Sequence, residues 1–172
     1  MKIHPLSCIS SKKVASAVWD ELSEEVHLEM TQLAQSLGQL SSLLNKVQTY
    51  SPDVVEKAAL AGFLHSFYTG MEAVLDRISR RVDGGRIRTT TWHKDLLERM
   101  SMPTESRPKV ISDDLRDVLR GYLSFRHVFR NAYPFELQWT KMAPLVAQCE
   151  STFEMFQEEI QSFLSDASGT GG

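Results

Sequence analysis

Leu119 to Tyr133 reads L-R-G-Y-L-S-F-R-H-V-F-R-N-A-Y, and Pro134 follows it. Wound as a helix at about 100° per residue, this stretch sets Leu115, Leu119, Tyr122, Arg126, Phe129 and Tyr133 on one stripe, with Arg126 within about 20° of Leu119. An arginine stands where a core residue belongs. Removing a guanidinium from water is costly unless it is paired or lines a wet cleft, so a helix that aims Arg126 along its apolar face has a use for it. The competing reading is that the side chain snorkels to water or caps a partner helix. Ser112, with Asp113 and Asp114 behind it, starts this helix. Tyr133 is pushed away from helical angles by Pro134, so the helix is predicted to end by about Ala132.

The rest of the chain reads as helices of the same kind. Val14, Val18, Leu22, Val26, Leu33, Leu37, Leu40, Leu44 and Val47 recur at helical spacing and predict a long amphipathic helix over about 12–48. Ser51-Pro52-Asp53 starts a second, running to about Val82, with Ser51 as the expected cap and Pro52 in the first turn. This second helix is apolar on two sides. Val54, Ala58, Ala61, Tyr68, Met71, Leu75 and Ile78 form one stripe, and Leu60, Phe63, Phe67 and Val74 form another, which suits the middle of a bundle or a subunit interface. His65 lies on the first stripe and reads as a satisfied core residue rather than a ligand. Small residues such as Ala61, Gly62 and Gly70 let a neighbour approach.

Asp83-Gly84-Gly85 stops that helix, because glycine takes the left-handed cap conformation without penalty. A short helix over Trp92–Met100 follows, then a surface loop bracketed by Pro103 and Pro108. Thr140 is the expected cap of one final helix, with Pro144 in its first turn and Leu145, Val146, Cys149, Phe153, Phe156, Ile160, Phe163 and Leu164 inward. No segment alternates at period two. The expectation is an all-α antiparallel bundle of four to five helices, with residues 1–11 a flexible leader, 12–166 a single domain and 167–172 a disordered tail.

Composition bounds the class. With 172 residues, 42% hydrophobic and 24% charged, the chain has enough apolar content for one core. It carries no run long enough to predict a membrane span and no N-terminal pattern of an export signal, so a cytoplasmic protein is expected. Cys8 and Cys149 match neither a disulfide framework nor metal-ligand spacing; Cys149 reads as core. The net charge of −3 hides an asymmetry, because Arg77 to Arg130 holds 13 basic and 7 acidic residues while the remainder is strongly acidic. A basic centre in an acidic protein invites a polyanion, although a solvated surface gives the same count.

The chemistry that the sequence can specify is narrow. Neither a zinc motif, nor a phosphate loop, nor a serine triad has its spacing here, and no cofactor is expected. What remains is the opening helix, where Arg116, Arg120, Ser124, His127 and Asn131 form a second, polar stripe. Arginines bind phosphates bidentately and a histidine moves protons near neutral pH. Together they can bind RNA and cut it through its own 2′-hydroxyl.

F-R-H-V-F-R-N-A-Y, together with L-H-S-F-Y-T-G-M-E in the second helix and W-H-K-D-L-L-E-R-M in the short one, resembles the HepT-like branch of the HEPN superfamily over about residues 22–164. The resemblance implies a small helical bundle that dimerises and a metal-independent ribonuclease toxin paired with a minimal nucleotidyltransferase antitoxin. The family motif is an arginine, a polar residue, three more residues, a histidine, one residue and a tyrosine. Arg126 takes the arginine place, His127 the polar place and Tyr133 the tyrosine that such an antitoxin modifies with AMP in related systems. Asn131 stands where the family has histidine, and asparagine is neither a general acid nor a base, though it still hydrogen-bonds a phosphate or hydroxyl. An alignment on Arg120 and His127 instead puts Phe129 in the tyrosine place.

The expected site is therefore Arg126, His127 and Asn131 at the reacting atoms, Arg130 and Arg120 on phosphates, and Tyr133 as the modified residue. The outcomes left open are an active ribonuclease in which His127 transfers the proton, a weakened one, and a non-catalytic scaffold that binds RNA or a protein partner.

Overall fold

The computed structural model describes residues 6–131, 133 and 136–169. The expectations for Pro5, for the side chains of Cys8 and Val14, for Ala132 and Pro134, and for residues 170–172 fall outside the described residues. Six helices make up the described chain: α1 (Leu6–Lys46), α2 (Val54–Val82), α3 (Trp92–Met100), α4 (Asp113–Phe129), α5 (Trp139–Ala147) and α6 (Cys149–Gly169). Among the described residues there is no strand, and no helix is long and apolar enough to cross a membrane.

α1 and α2 run antiparallel over most of their length. Lys46 pairs with Glu56 at one end, Leu33 lies against Gly70 in the middle, and Arg77 and Arg81 reach Glu29 and Glu21 at the other. Gly70 permits this approach, because a Cβ there would come within 2.7 Å of Leu33 Cδ2. α2 packs against α1, α3, α4 and α5, and both of its apolar stripes are buried from Leu60 onward, with Leu60, Phe63 and Phe67 on one and Met71, Leu75 and Ile78 on the other, while Val54 and Ala58 at its start are exposed. The doubly apolar helix is the centre of the bundle. α6 closes the far side of α1 through Trp19 and Phe163, whose rings meet edge to face with centroids 6.2 Å apart.

The structure shifts several expected boundaries. α1 begins at Leu6, so the helix takes up half of the expected leader, and α6 extends to Gly169 into the expected tail. The cap of α2 is Asp53, not Ser51: its carboxylate accepts from the Val55 and Glu56 amides at 2.8 Å, and Glu56 accepts from the Asp53 amide at 3.1 Å. This reciprocal box satisfies three backbone donors, which a hydroxyl two residues earlier cannot do. Gly84, at φ +76, ends α2 as expected.

The final helix is divided. α5 starts after Gln138 without a side-chain cap, so Thr140 is not one, and α6 starts anew at Cys149. The Leu145 carbonyl at this junction accepts from the hydroxyl of buried Tyr122 on α4 at 2.8 Å. A tertiary hydrogen bond at the break competes with continuation of the helical ladder. α4 is capped as predicted, with Ser112 Oγ accepting from the Leu115 amide at 3.1 Å. The same serine donates through its amide and hydroxyl to Glu159 of α6, each at 2.6 Å.

Candidate functional site

Three helices bring charge together inside the bundle. Leu115, Leu119 and Tyr122 on α4 are fully buried, and one turn further along the same stripe comes Arg126, its side chain only 13% exposed. The stripe faces α2, which there presents Glu72, buried one turn after Tyr68. α3 crosses close by and contributes His93. Arg126 Nη2 lies 3.5 Å from Glu72 Oε2, and Nη1 lies 3.2 Å from His93 Nε2. The other ring nitrogen, His93 Nδ1, meets Glu72 Oε1 in a close hydrogen bond. Arg126, Glu72 and His93 thus close a triangle, with Glu72 deepest and His93, whose side chain is 23% exposed, at the rim.

The cluster is not fully satisfied. Arg126 Nε, the Tyr68 hydroxyl and His65 Nδ1 are buried without a hydrogen-bond partner. The Tyr68 hydroxyl is held protonated far above its ordinary range, first by burial and then by the negative charge of Glu72. His65 stacks on Phe129 with ring centroids 5.0 Å apart. Burial, and next the positive charges of Arg126 and Arg130, hold its imidazole below the ordinary histidine range. The satisfied core histidine expected there is instead a half-buried histidine with one orphaned nitrogen. Among the described residues no group of three or more His, Cys, Asp or Glu side chains converges as a metal site would.

The expected site residues divide into two environments. Arg126 is the one directed inward. His127, Arg130, Asn131 and Tyr133 are exposed at the C-terminal end of α4 and just beyond it, because the helix ends at Phe129, sooner than the predicted Ala132. Asn131 turns its Nδ2 back to donate to the His127 carbonyl at 2.8 Å. Tyr133 leaves the stripe and is 67% exposed. Arg120 is shared between Asp117, at 2.8 Å, and Glu98 of α3. Arg116, its neighbour on the polar stripe, pairs with Asp113 at 2.5 Å and Asp117 at 3.0 Å.

Residue pattern alone assigns no role to Glu72 or His93. A signal for Glu72 exists: it falls about 20° from His65 on a helix otherwise apolar at that angle, a carboxylate on one core stripe matching an arginine on another. His93 carries no such mark, since it opens a short helix whose register against α4 is set by packing.

Two apolar grooves lie apart from this cluster. One of about 690 Å³ runs between α1 and α6 along Val26, Met30, Ile160 and Leu164, and one of about 470 Å³ lies between α4 and α5 beside Phe125 and Val128. Among comparisons with known proteins, a family model described as HepT-like protein matches residues 59–167, well over half of the chain and all three helices of the cluster. No curated protein and no solved structure matches the chain significantly.

Proposed function

This chain belongs to the HepT-like family of the HEPN superfamily, and from that premise we propose that it is an endoribonuclease toxin. In this reading it is cytoplasmic, works as a homodimer, cleaves RNA without a metal ion at a cleft between the two copies, and is controlled by a minimal nucleotidyltransferase antitoxin. The observation that carries the reading is Arg126: the arginine in the family's motif place is drawn into an apolar stripe, yet keeps an unpartnered Nε and a histidine at its edge. A purely structural arginine is expected to have its donors filled.

The proposed chemistry is transesterification. The RNA 2′-oxygen attacks the adjacent phosphorus, the bond to the 5′-oxygen breaks, and the products are a 2′,3′-cyclic phosphate and a 5′-hydroxyl. Arg126 stabilises the charge that develops on the phosphorane oxygens. Arg130, about 40° round the helix from Arg126 and exposed, and Arg120, at 42% exposure, hold neighbouring phosphates. His127 and Asn131 hydrogen-bond the reacting hydroxyl or the leaving oxygen. Tyr133, on the surface, is the residue to which the antitoxin adds AMP.

A second reading has one observation in its favour. Asn131 occupies the family histidine's place and its amide is turned back on its own helix, which suits a non-catalytic scaffold for RNA or a protein partner. Incubating the purified protein with single-stranded RNA, beside Arg126→Ala and Asn131→His, separates the two. The ribonuclease reading expects loss of cleavage in the first variant and a gain in the second. Intact RNA from all three proteins moves the assignment to the scaffold.

A further inference from the structure

We infer that His93 is the general base of this site, held in the reactive tautomer by Glu72; the inference rests on the ribonuclease reading. Arginine has donors and no acceptor, so the 3.2 Å contact between Arg126 Nη1 and His93 Nε2 requires a lone pair on Nε2. The ring proton is therefore on Nδ1, donated to the Glu72 carboxylate. A neutral imidazole, oriented by a buried carboxylate and offering its basic nitrogen beside a phosphate-binding group, has the base-and-orienter relation of nucleophile activation.

The two partners are placed to suit these roles. The Glu72 side chain is 5% exposed and cannot turn away to water, so it fixes the ring; His93 is 23% exposed and within reach of a bound strand. The Trp92 indole lies against the imidazole, with ring centroids 3.6 Å apart, and limits its rotation. Without RNA, Arg126 covers Nε2. A phosphate draws the guanidinium onto its own oxygens and uncovers the lone pair at the place where the 2′-hydroxyl arrives.

The step balances without a further reagent. His93 Nε2 takes the 2′-hydroxyl proton as the 2′-oxygen bonds to phosphorus, the bond from phosphorus to the 5′-oxygen breaks, and that oxygen takes a proton from water. The proton on Nε2 then passes to solvent. His93 touches the reacting hydroxyl and is catalytic; Glu72 acts through it and is a positioning residue. The missing family histidine is thereby replaced from a different helix, and Asn131 needs to supply only a hydrogen bond.

The test is steady-state cleavage of a single-stranded RNA oligonucleotide by wild type, Arg126→Ala, His93→Ala, His93→Gln and Glu72→Gln, with folding followed by circular dichroism. His93→Ala is expected to lower kcat by about 10²–10⁴-fold with KM little changed. Added imidazole restores cleavage to that variant, and pyrrole, a ring of like shape with no basic nitrogen, does not. His93→Gln keeps a donor toward Glu72 without a base, so it stays inactive while folded and stands in for His93→Ala if that variant unfolds. Glu72→Gln frees the tautomer and lowers kcat rather than raising KM. A folded His93→Ala or His93→Gln that keeps the wild-type kcat, while Arg126→Ala has lost it, overturns the role of His93 and leaves the ribonuclease reading standing. RNA left intact by the wild type overturns both.

Discussion

Arg107 and Arg126 are both arginines drawn into the interior, and they are satisfied in opposite ways. Arg107 sits in the loop after α3 with its side chain 2% exposed, and every nitrogen of its guanidinium is engaged. Nε and Nη2 clamp the carboxylate of Asp83 at 2.7 and 2.9 Å, Nη2 also donates to the Arg99 carbonyl, and Nη1 donates to the carbonyls of Met102 and Pro108. A charge so completely paired tethers a loop to the end of α2 and has no donor left over. Arg126 has a longer contact to its carboxylate, a histidine in place of a carbonyl, and an Nε with no partner. Burial alone does not distinguish the two arginines; they differ in how many donors the protein itself has filled.

By this contrast the two arginines respond differently to removal. Arg107→Met leaves buried Asp83 with Arg99 Nε alone, at 2.8 Å, and strands the carbonyls of Arg99, Met102 and Pro108; it is expected to cost about 3 kcal/mol in urea unfolding. Arg126→Ala is expected to lower RNA cleavage by about 10²–10³-fold, as loss of a transition-state donor does. Its cost in stability is smaller, about 1–2 kcal/mol by the same unfolding measurement, because Glu72 keeps His93. Equal stability losses at the two positions would erase the distinction. Tyr122→Phe removes only the hydroxyl that meets the Leu145 carbonyl and is expected to cost about 1 kcal/mol, read as a lower urea midpoint with an unchanged slope.

The smallest effect concerns pH and His65, beside Arg126. Its folded-state pKa lies below the ordinary 6.5. Between those two values the unfolded chain takes up a proton that the folded chain refuses, so stability falls as pH drops through that window and levels off below it. His65→Phe, which keeps the stacking on Phe129, is expected to flatten that part of the urea-midpoint profile between pH 7.5 and 5. An unchanged slope would mean that another group produces it.

Much of the fold was legible because helical period and apolar content act locally. The double stripe of α2 suits the middle of a bundle or a subunit interface, and packing chose the first; Gly84 marks its end, and Ser112 the start of α4. The Asp53 box was also present in the residues, but the more familiar Ser-Pro pair drew the boundary two positions early. The break at Gln148 left no local mark, since it accompanies a hydroxyl arriving from α4. Arg107 falls in a stretch that reads as a surface loop for the same reason: its partners come from the end of α2 and from backbone carbonyls that pattern does not reveal.

For the site the division is similar. Residue order alone marks Arg126 as anomalous, because about 100° per residue places it among leucines whatever the neighbours are, and the same stretch carries the resemblance to the family motif, with asparagine in the histidine's place. Only the packing of α2, α3 and α4 decided what surrounds that arginine. Side chains distant in the chain meet through helix crossings, and a crossing depends on the summed burial of many residues. Glu72, 54 positions before Arg126, and His93, 33 before it, become its neighbours in that way. The chain's own order therefore determined which residue is out of place, and tertiary structure decided which carboxylate and which imidazole answer it.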